Sequence, residues 1–214
     1  MTSEVILVHG LWMPGIVMHP LGSRLQARGF RTHLFDYASR HRPIEAHAER
    51  LVRFVQAAVG NEPVQFVGHS FGGLVILATL AREDTPAAAG MVLLGTPVLG
   101  CMAARRLASA APGRWMLGES RPHWQERGTV RWDGRSPLGV IAGSRPSFGL
   151  GRLTGRLPGV NDGVVRLEET TLEGMTERIV FPVGHSQLIF SPRVEAQTAH
   201  FLAHGKFHRE APHE

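Results

Sequence analysis

Short runs of consecutive apolar residues alternate along the chain with longer stretches in which apolar residues recur every three or four positions. The short runs are typical of strands buried on both faces of a parallel sheet, and the longer stretches of amphipathic helices. Proline near the first turn and glycine just past the end mark the helix at residues 43–59. The pattern predicts strands at 4–8, 31–37, 63–68, 90–94, 138–142 and 178–183, and helices at 15–28, 43–59, 71–82 and 192–203.

This alternation predicts right-handed βαβ units, because parallel strands need a crossover connection that helices usually supply. We therefore expect an α/β fold with about six mainly parallel strands and helices on both faces of the sheet. The 214 residues suit a single domain, which we place at residues 1–205. Residues 206–214 are polar and are expected to form a tail that frays.

Residues 98–136, called the excursion below, interrupt the alternation between the fourth and fifth strands. Its first part, residues 101–111, predicts an amphipathic helix, and its second part mixes aromatic and basic residues. Two interpretations stay open. The excursion could form a helical cap that contacts substrate, or a helix that packs on the flank of the sheet.

The formal net charge is +5, and many arginines fall between residues 105 and 156. A basic face could bind peripherally to an anionic membrane surface, or it could be an ordinary solvated surface. Because zinc-finger spacing, an RNA-binding aromatic signature and a continuous basic stripe are all missing from the sequence, we expect no nucleic-acid partner.

Features near the N-terminus and the cysteine content bear on the compartment. The apolar run at residues 5–8 is too short to span a bilayer, and Glu4 stands where a signal peptide would be basic. The single cysteine, Cys101, permits no internal disulfide and is interpreted as a small apolar residue. Both observations predict a cytoplasmic protein.

A Gly-x-Ser-x-Gly pattern at residues 68–72 lies between a predicted strand and a predicted helix. This context is typical of a nucleophile elbow, in which the serine protrudes from a strained, very tight turn. Side chains at Gly68 and Gly72 would collide with neighbouring backbone in such a turn. The pattern predicts Ser70 as a nucleophile, and the alternative is a glycine-rich turn that carries a surface serine.

A serine nucleophile needs a general base, and the base needs an acid that holds its tautomer. In open α/β sheets these groups lie beyond the carboxyl ends of strands, where His185 follows the sixth predicted strand. Asp162 gives the chain order serine, acid, histidine. Glu168 and Glu169 lie close enough to Asp162 to compete with it. Other carboxylates that we considered are less well placed: Asp36, Asp84 and Asp133.

An oxyanion formed at the attacked carbonyl needs two preorganised N–H donors. One is predicted to be the backbone N–H of Phe71, directly after the nucleophile. The other is predicted to be the backbone N–H of Leu11, since Gly10 lets the loop after the first strand approach closely.

With these pieces in order, the chain resembles small bacterial esterases and lipases of the α/β-hydrolase superfamily. The matching motifs are Val8-His9-Gly10, Gly68-His69-Ser70-Phe71-Gly72, Leu94-Gly95-Thr96-Pro97, Asn161-Asp162-Gly163 and Gly184-His185. The resemblance implies a minimal α/β-hydrolase fold, with Ser70, Asp162 and His185 as catalytic triad and Leu11 and Phe71 as oxyanion donors. It also implies acyl-ester chemistry without a metal or an organic cofactor, on a small-molecule or lipid acyl ester.

The resemblance leaves three functional hypotheses. The first is a serine carboxylic-ester hydrolase, and we expect an esterase because the excursion is shorter than the lids of interfacially activated lipases. The second is an acyltransferase that uses the same acyl-enzyme, and the third is a non-catalytic scaffold or binding protein. Several apolar side chains could wall an acyl pocket, although each could equally be core: Trp12, Met13, Leu99, Trp115 and Met116.

Overall fold

A computed structural model describes residues 3–85, 87–125, 131–146 and 155–208. Its six strands form one sheet in the order β2-β1-β3-β4-β5-β6, and each neighbouring pair is parallel. The predicted α/β fold is confirmed, with a sheet that is parallel throughout the described residues. The strands are β1 (Glu4–Val8), β2 (Arg31–Phe35), β3 (Val64–His69), β4 (Ala88–Leu94), β5 (Leu138–Gly143) and β6 (Glu177–Phe181).

Helices connect the strands and cover both faces of the sheet. The predicted helix at 15–28 is divided into a 3-10 turn, Gly15–Met18, and an α-helix whose first turn contains Pro20. None of the helices in the described ranges combines the length and the apolar character that crossing a membrane requires. The α-helices are α1 (His19–Ala27), α2 (Ile44–Val59), α3 (Phe71–Leu80), α4 (Met102–Ala108), α5 (Ala111–Leu117) and α6 (Pro192–His204).

Alternate residues of the strands supply two hydrophobic cores, one on each face of the sheet. Ile6 and Val8 of β1 face the core that contains α2, α3 and part of the excursion. Val5 and Leu7 of the same strand face the core that contains α1 and α6. Because both faces are covered, this interior strand is apolar at every position from 5 to 8, which explains the uninterrupted apolar run in the sequence.

The excursion folds as α4, α5 and a 3-10 turn, Gly118–Trp124, and it packs on the core that contains α3. Glu169 ties it to the segment before β6. The buried carboxylate of Glu169 accepts hydrogen bonds from the backbone N–H groups of Met102 (2.7 Å) and Arg166 (2.8 Å). Since an unpaired buried carboxylate is costly, these bonds fix the start of α4.

The chain beyond α6 corrects one expectation. Gly205, with φ of 69°, ends the helix, and Phe207 then returns to the core with only 3% of its surface exposed. Its ring lies 4.7 Å from that of Phe201, and its N–H donates to Glu177 at 2.7 Å. The predicted frayed tail is therefore wrong for residues 206–208, because an aromatic side chain anchors them. Residues 209–214 lie outside the described ranges.

Candidate functional site

Ser70 lies at the junction of β3 and α3 with φ of 54° and ψ of −121°. Apart from glycines, only Ser70 and Trp12 have a positive φ in the described part of the chain. Such strained backbone concentrates at functional sites, where the surrounding structure enforces it. A Cβ atom at Gly68 would lie 2.6 Å from the Cα of Gly73, and one at Gly72 would overlap the carbonyl oxygen of Val8. The steric reason predicted for both glycines is confirmed.

We expect Gly72→Ala to lower the free energy of unfolding by about 3 kcal/mol, because its new methyl group would collide with immobile backbone of β1. Gly90→Ala is the matched control, since the nearest atom to its Cβ would be the Pro137 carbonyl oxygen at 3.7 Å. That substitution should change stability by less than about 1 kcal/mol. Urea unfolding followed by tryptophan fluorescence measures both, and equal effects would contradict the steric argument.

His185 and Asp162 form a buried hydrogen-bonded pair beside the elbow. The Nδ1 atom of His185 lies 2.7 Å from Oδ2 of Asp162, and the His185 backbone N–H donates to the Asp162 carbonyl at 3.0 Å. The other carboxylate oxygen, Oδ1, accepts from the N–H groups of Val164 (3.0 Å) and Val165 (2.7 Å). These donors compensate for burying the carboxylate and orient it toward the imidazole. With Nδ1 bonded to Asp162, Nε2 is the nitrogen that can accept a proton.

The carboxylates that competed with Asp162 have other partners. Glu169 holds the start of α4, as described above, and Glu168 pairs with Arg166. Asp36 accepts from the Gly15 N–H at 2.5 Å. The remaining two pair with arginines two residues away, at 2.8 Å and 2.7 Å: Asp84 with Arg82 and Asp133 with Arg135.

His69, inside the elbow, is buried against His185. Its Nε2–H donates to the His185 carbonyl at 3.1 Å, and the two rings lie 4.7 Å apart. Burial lowers the pKa of His69 to about 3, and the neighbouring His185 acts in the same direction. A neutral His69 therefore fixes the backbone that carries the candidate base.

Residues 9–12, called the oxyanion loop below, follow β1 and pass over Ser70. A Cβ atom at Gly10 would lie 3.0 Å from Nδ1 of His69 and 3.2 Å from the Cβ of Ser70. A residue larger than glycine would fit there only if these neighbours moved. His9 braces the loop from inside: its Nδ1–H donates to the Gly10 carbonyl at 2.8 Å, and the Tyr37 hydroxyl donates to the His9 carbonyl at 2.8 Å. Burial lowers the pKa of His9, which favours the neutral ring that this pattern requires.

The two residues predicted as oxyanion donors occupy different surroundings. Leu11 lines the cavity beside Ser70. The side chain of Phe71 is buried in the core, 5.3 Å from the Trp124 ring, and its N–H belongs to the first turn of α3. N–H groups in a first helical turn have no partner within the helix, so they can bind an anion.

A cavity of about 310 Å³ opens above Ser70 and His185, and most of its lining is apolar. It contains Trp12 and Met13, as predicted. The sequence did not mark the other apolar side chains of this wall as pocket residues. These are Pro97, Cys101, Ala104, Leu117, Trp124, Val164 and Val165.

Three residues predicted for this pocket do not line it in the described structure: Leu99, Trp115 and Met116. Trp115 is 70% exposed, and the guanidinium of Arg40 lies 4.4 Å from the centre of its ring. Successive residues of a helix point about 100° apart, and α5 turns Leu117 rather than its two predecessors into the cavity. Cys101 and Ala104 are three positions apart at the start of α4, and this helical spacing was the signal that could have identified their part of the wall.

The cavity also contains the single cysteine. Burial raises the pKa of the Cys101 thiol to about 12, and Glu169 contributes in the same direction. Cys101 therefore acts there as a small apolar side chain. Within the described ranges, no three His, Cys, Asp or Glu side chains are grouped as ligands of a metal ion would be.

Comparisons with solved structures place the fold among known hydrolases. The mature lipase BlEst2 of Bacillus licheniformis superposes with a TM-score of 0.71 at 15% identity, covering 96% of this chain and 93% of that one. A thermophilic esterase from Thermogutta terrifontis gives 0.68 at 17% identity, with 96% and 91% covered. The pyrethroid hydrolase PytH gives 0.63 at 15% identity, with 95% and 99% covered.

Sequence comparisons lead to the same family. Curated protein sequences give no match to the chain. A sequence model described as the alpha/beta hydrolase family matches residues 5–147, which include β1, the oxyanion loop and the elbow. By this match and by its fold, the chain belongs to the alpha/beta hydrolase family.

Proposed function

We propose that the protein is a serine hydrolase of carboxylic esters, with Ser70 as nucleophile, His185 as general base and Asp162 as its orienting acid. The observation that carries the proposal is the buried His185–Asp162 pair, which opens on the same cavity as a serine held in strained backbone. Structural relatives described as lipase and esterase support the choice of ester substrates.

The geometry supports a two-step reaction. Nε2 of His185 takes the hydroxyl proton while Ser70 Oγ attacks the acyl carbon, and the same nitrogen then returns the proton to the departing alcohol. A water molecule, activated by His185, cleaves the acyl-enzyme to release the acid and restore Ser70. The negatively charged tetrahedral intermediates would be stabilised by the N–H groups of Leu11 and Phe71.

The lining of the cavity favours an apolar substrate group. Leu117 and Trp124 from the excursion and Val165 from the segment beside Asp162 surround the space above Ser70. Burial of apolar substrate atoms there contributes binding energy without a charged partner. An ester with an apolar acyl or alcohol portion suits this wall best.

Fluorophosphonate labelling, followed by peptide mapping, tests the activated serine directly. We expect a stoichiometric adduct on Ser70 in the wild type, and labelling slower by at least about 10³ in His185→Ala, because the serine loses its base. His41→Ala is the matched control, since His41 is exposed and far from the elbow in sequence. It should label at the wild-type rate.

The same samples are then given p-nitrophenyl butyrate, with and without butanol as a competing acceptor. Free butyrate as the main product supports hydrolysis, and butyl butyrate as the main product would replace the proposal by an acyltransferase. A folded wild type that forms no adduct and releases no nitrophenol would contradict both activities and favour a scaffold role.

A further inference from the structure

Trp12 stands out because it shares positive φ with the nucleophile. Its φ is 61°, in a region that a bulky L-residue adopts only when its surroundings enforce it. It directly follows Leu11, the second proposed oxyanion donor. The backbone conformation at Trp12 therefore sets the direction in which the chain leaves Leu11, and the forces that hold Trp12 also act on the Leu11 peptide group.

Two hydrogen bonds hold Trp12 in this conformation. Its backbone N–H donates to Oγ of Ser39 at 3.1 Å, and its indole Nε1–H donates to the carbonyl of Met116 at 2.8 Å. Ser39 is buried, and Met116 belongs to α5 of the excursion. The oxyanion loop is thus attached at one residue to two segments that are distant from it in sequence.

These two segments are attached to each other. The carbonyl of Arg40, next to Ser39, accepts from the N–H of Glu119 at 2.9 Å. The Arg40 guanidinium also stacks on Trp115, the residue before Met116. Both acceptors for Trp12 therefore belong to one connected support, made of residues 39–40 and the end of α5.

We propose that Trp12 is a positioning residue for the oxyanion loop: by bonding to Ser39 and to Met116 of the excursion, it holds the Leu11 N–H in the direction that stabilises the tetrahedral intermediate. This inference rests on the proposed function. Interactions with the oxyanion act in the transition state, so loss of the support lowers kcat and leaves KM nearly unchanged. The excursion thereby supports catalysis as well as lining the cavity.

Trp12→Phe tests this inference, because it keeps an aromatic ring at the cavity and removes only the indole donor. We expect kcat for p-nitrophenyl butyrate to fall by about 10-fold to 100-fold, with KM within about twofold of the wild-type value. Trp132→Phe is the matched control: the Trp132 indole also donates to a backbone carbonyl, that of Ser136 at 2.9 Å, and it lines neither the cavity nor the support of Trp12. Its kcat should equal that of the wild type.

A second readout separates positioning from a general structural effect. A trifluoromethyl ketone forms a tetrahedral adduct with an activated serine, and its inhibition constant should rise in Trp12→Phe by the same factor as kcat/KM falls. The inhibition constant of butyrate, which forms no such adduct, should stay unchanged. Ser39→Ala removes the other acceptor and should reproduce the kcat-specific loss, which keeps the test available if Trp12→Phe does not fold.

The outcomes distinguish this inference from the proposed function. An active wild type with unaltered kcat in both Trp12→Phe and Ser39→Ala would overturn the role of Trp12 alone. A rise in KM without a change in kcat would also overturn it and would assign Trp12 to substrate binding. A wild type without ester hydrolysis or labelling would instead overturn the proposed function.

Discussion

Replacing Ser70 with alanine should lower kcat for a p-nitrophenyl ester by about 10⁶, the loss observed when a catalytic triad acts as a unit. The remaining Nε2 of His185 would then have no hydroxyl to activate, and no acyl-enzyme could form. Stability should change by less than about 1 kcal/mol, because alanine tolerates the backbone conformation at φ of 54° no worse than serine does. The measurement combines steady-state kinetics with mass spectrometry of the protein after exposure to a fluorophosphonate.

Ser186→Ala is the matched control for this change. Ser186 lines the same cavity and follows His185 directly, but it is exposed and lies outside the elbow. We expect its kcat to stay within about threefold of the wild-type value. If hydrolysis persisted in Ser70→Ala and disappeared in Ser186→Ala, the nucleophile would be Ser186, and the proposed mechanism would be refuted.

Replacing Asp162 with asparagine should lower kcat by about 10⁴ while leaving the fold intact. Oδ1 of Asp162 accepts from the N–H groups of Val164 and Val165, so the amide oxygen must take that position in the variant. The amide nitrogen then faces Nδ1 of His185, which must accept a hydrogen bond instead of donating one. The imidazole proton is forced onto Nε2, the atom that should receive the proton of Ser70.

Asp133→Asn provides the control for the loss of one negative charge. Asp133 is exposed and pairs with Arg135, away from the cavity. Its kcat should not change, and the labelling rate of Ser70 should fall in Asp162→Asn alone. A normal rate in Asp162→Asn, together with a large loss in Glu169→Gln, would mean that the acid had been assigned to the wrong carboxylate.

Most of the fold could be predicted because its determinants are local. A strand buried on both faces has to be apolar throughout, and Val5 to Val8 show that pattern without reference to the rest of the chain. The elbow is equally local, since Gly68 and Gly72 are required by contacts within one strand–turn–helix unit and its neighbouring strand. Chain order and the ends of strands then selected His185 and Asp162.

The features that the sequence did not predict depend on contacts between distant segments. Glu169 was a rival for the acid until the structure showed its carboxylate bonded to the N–H of Met102. Whether Trp115 or Leu117 faces the cavity depends on how α5 is rotated against Arg40, which no periodicity in seven residues can specify. The sequence placed Phe207 in a polar tail because its neighbours along the chain are polar. The groups that it packs against, Phe201 and Gly139 of β5, become its neighbours only in the folded structure.

The burial of Cys101 has a practical consequence for spectroscopy. The thiolate is the reactive form of cysteine, and a pKa of about 12 leaves almost none of it at neutral pH. We therefore expect the natural thiol to react much more slowly with maleimide dyes and spin labels than an exposed cysteine does. A cysteine introduced on the exposed face of α5 should therefore be labelled selectively. Such a reporter would test whether the excursion moves during turnover, and no residue of the cavity wall would have to be replaced first.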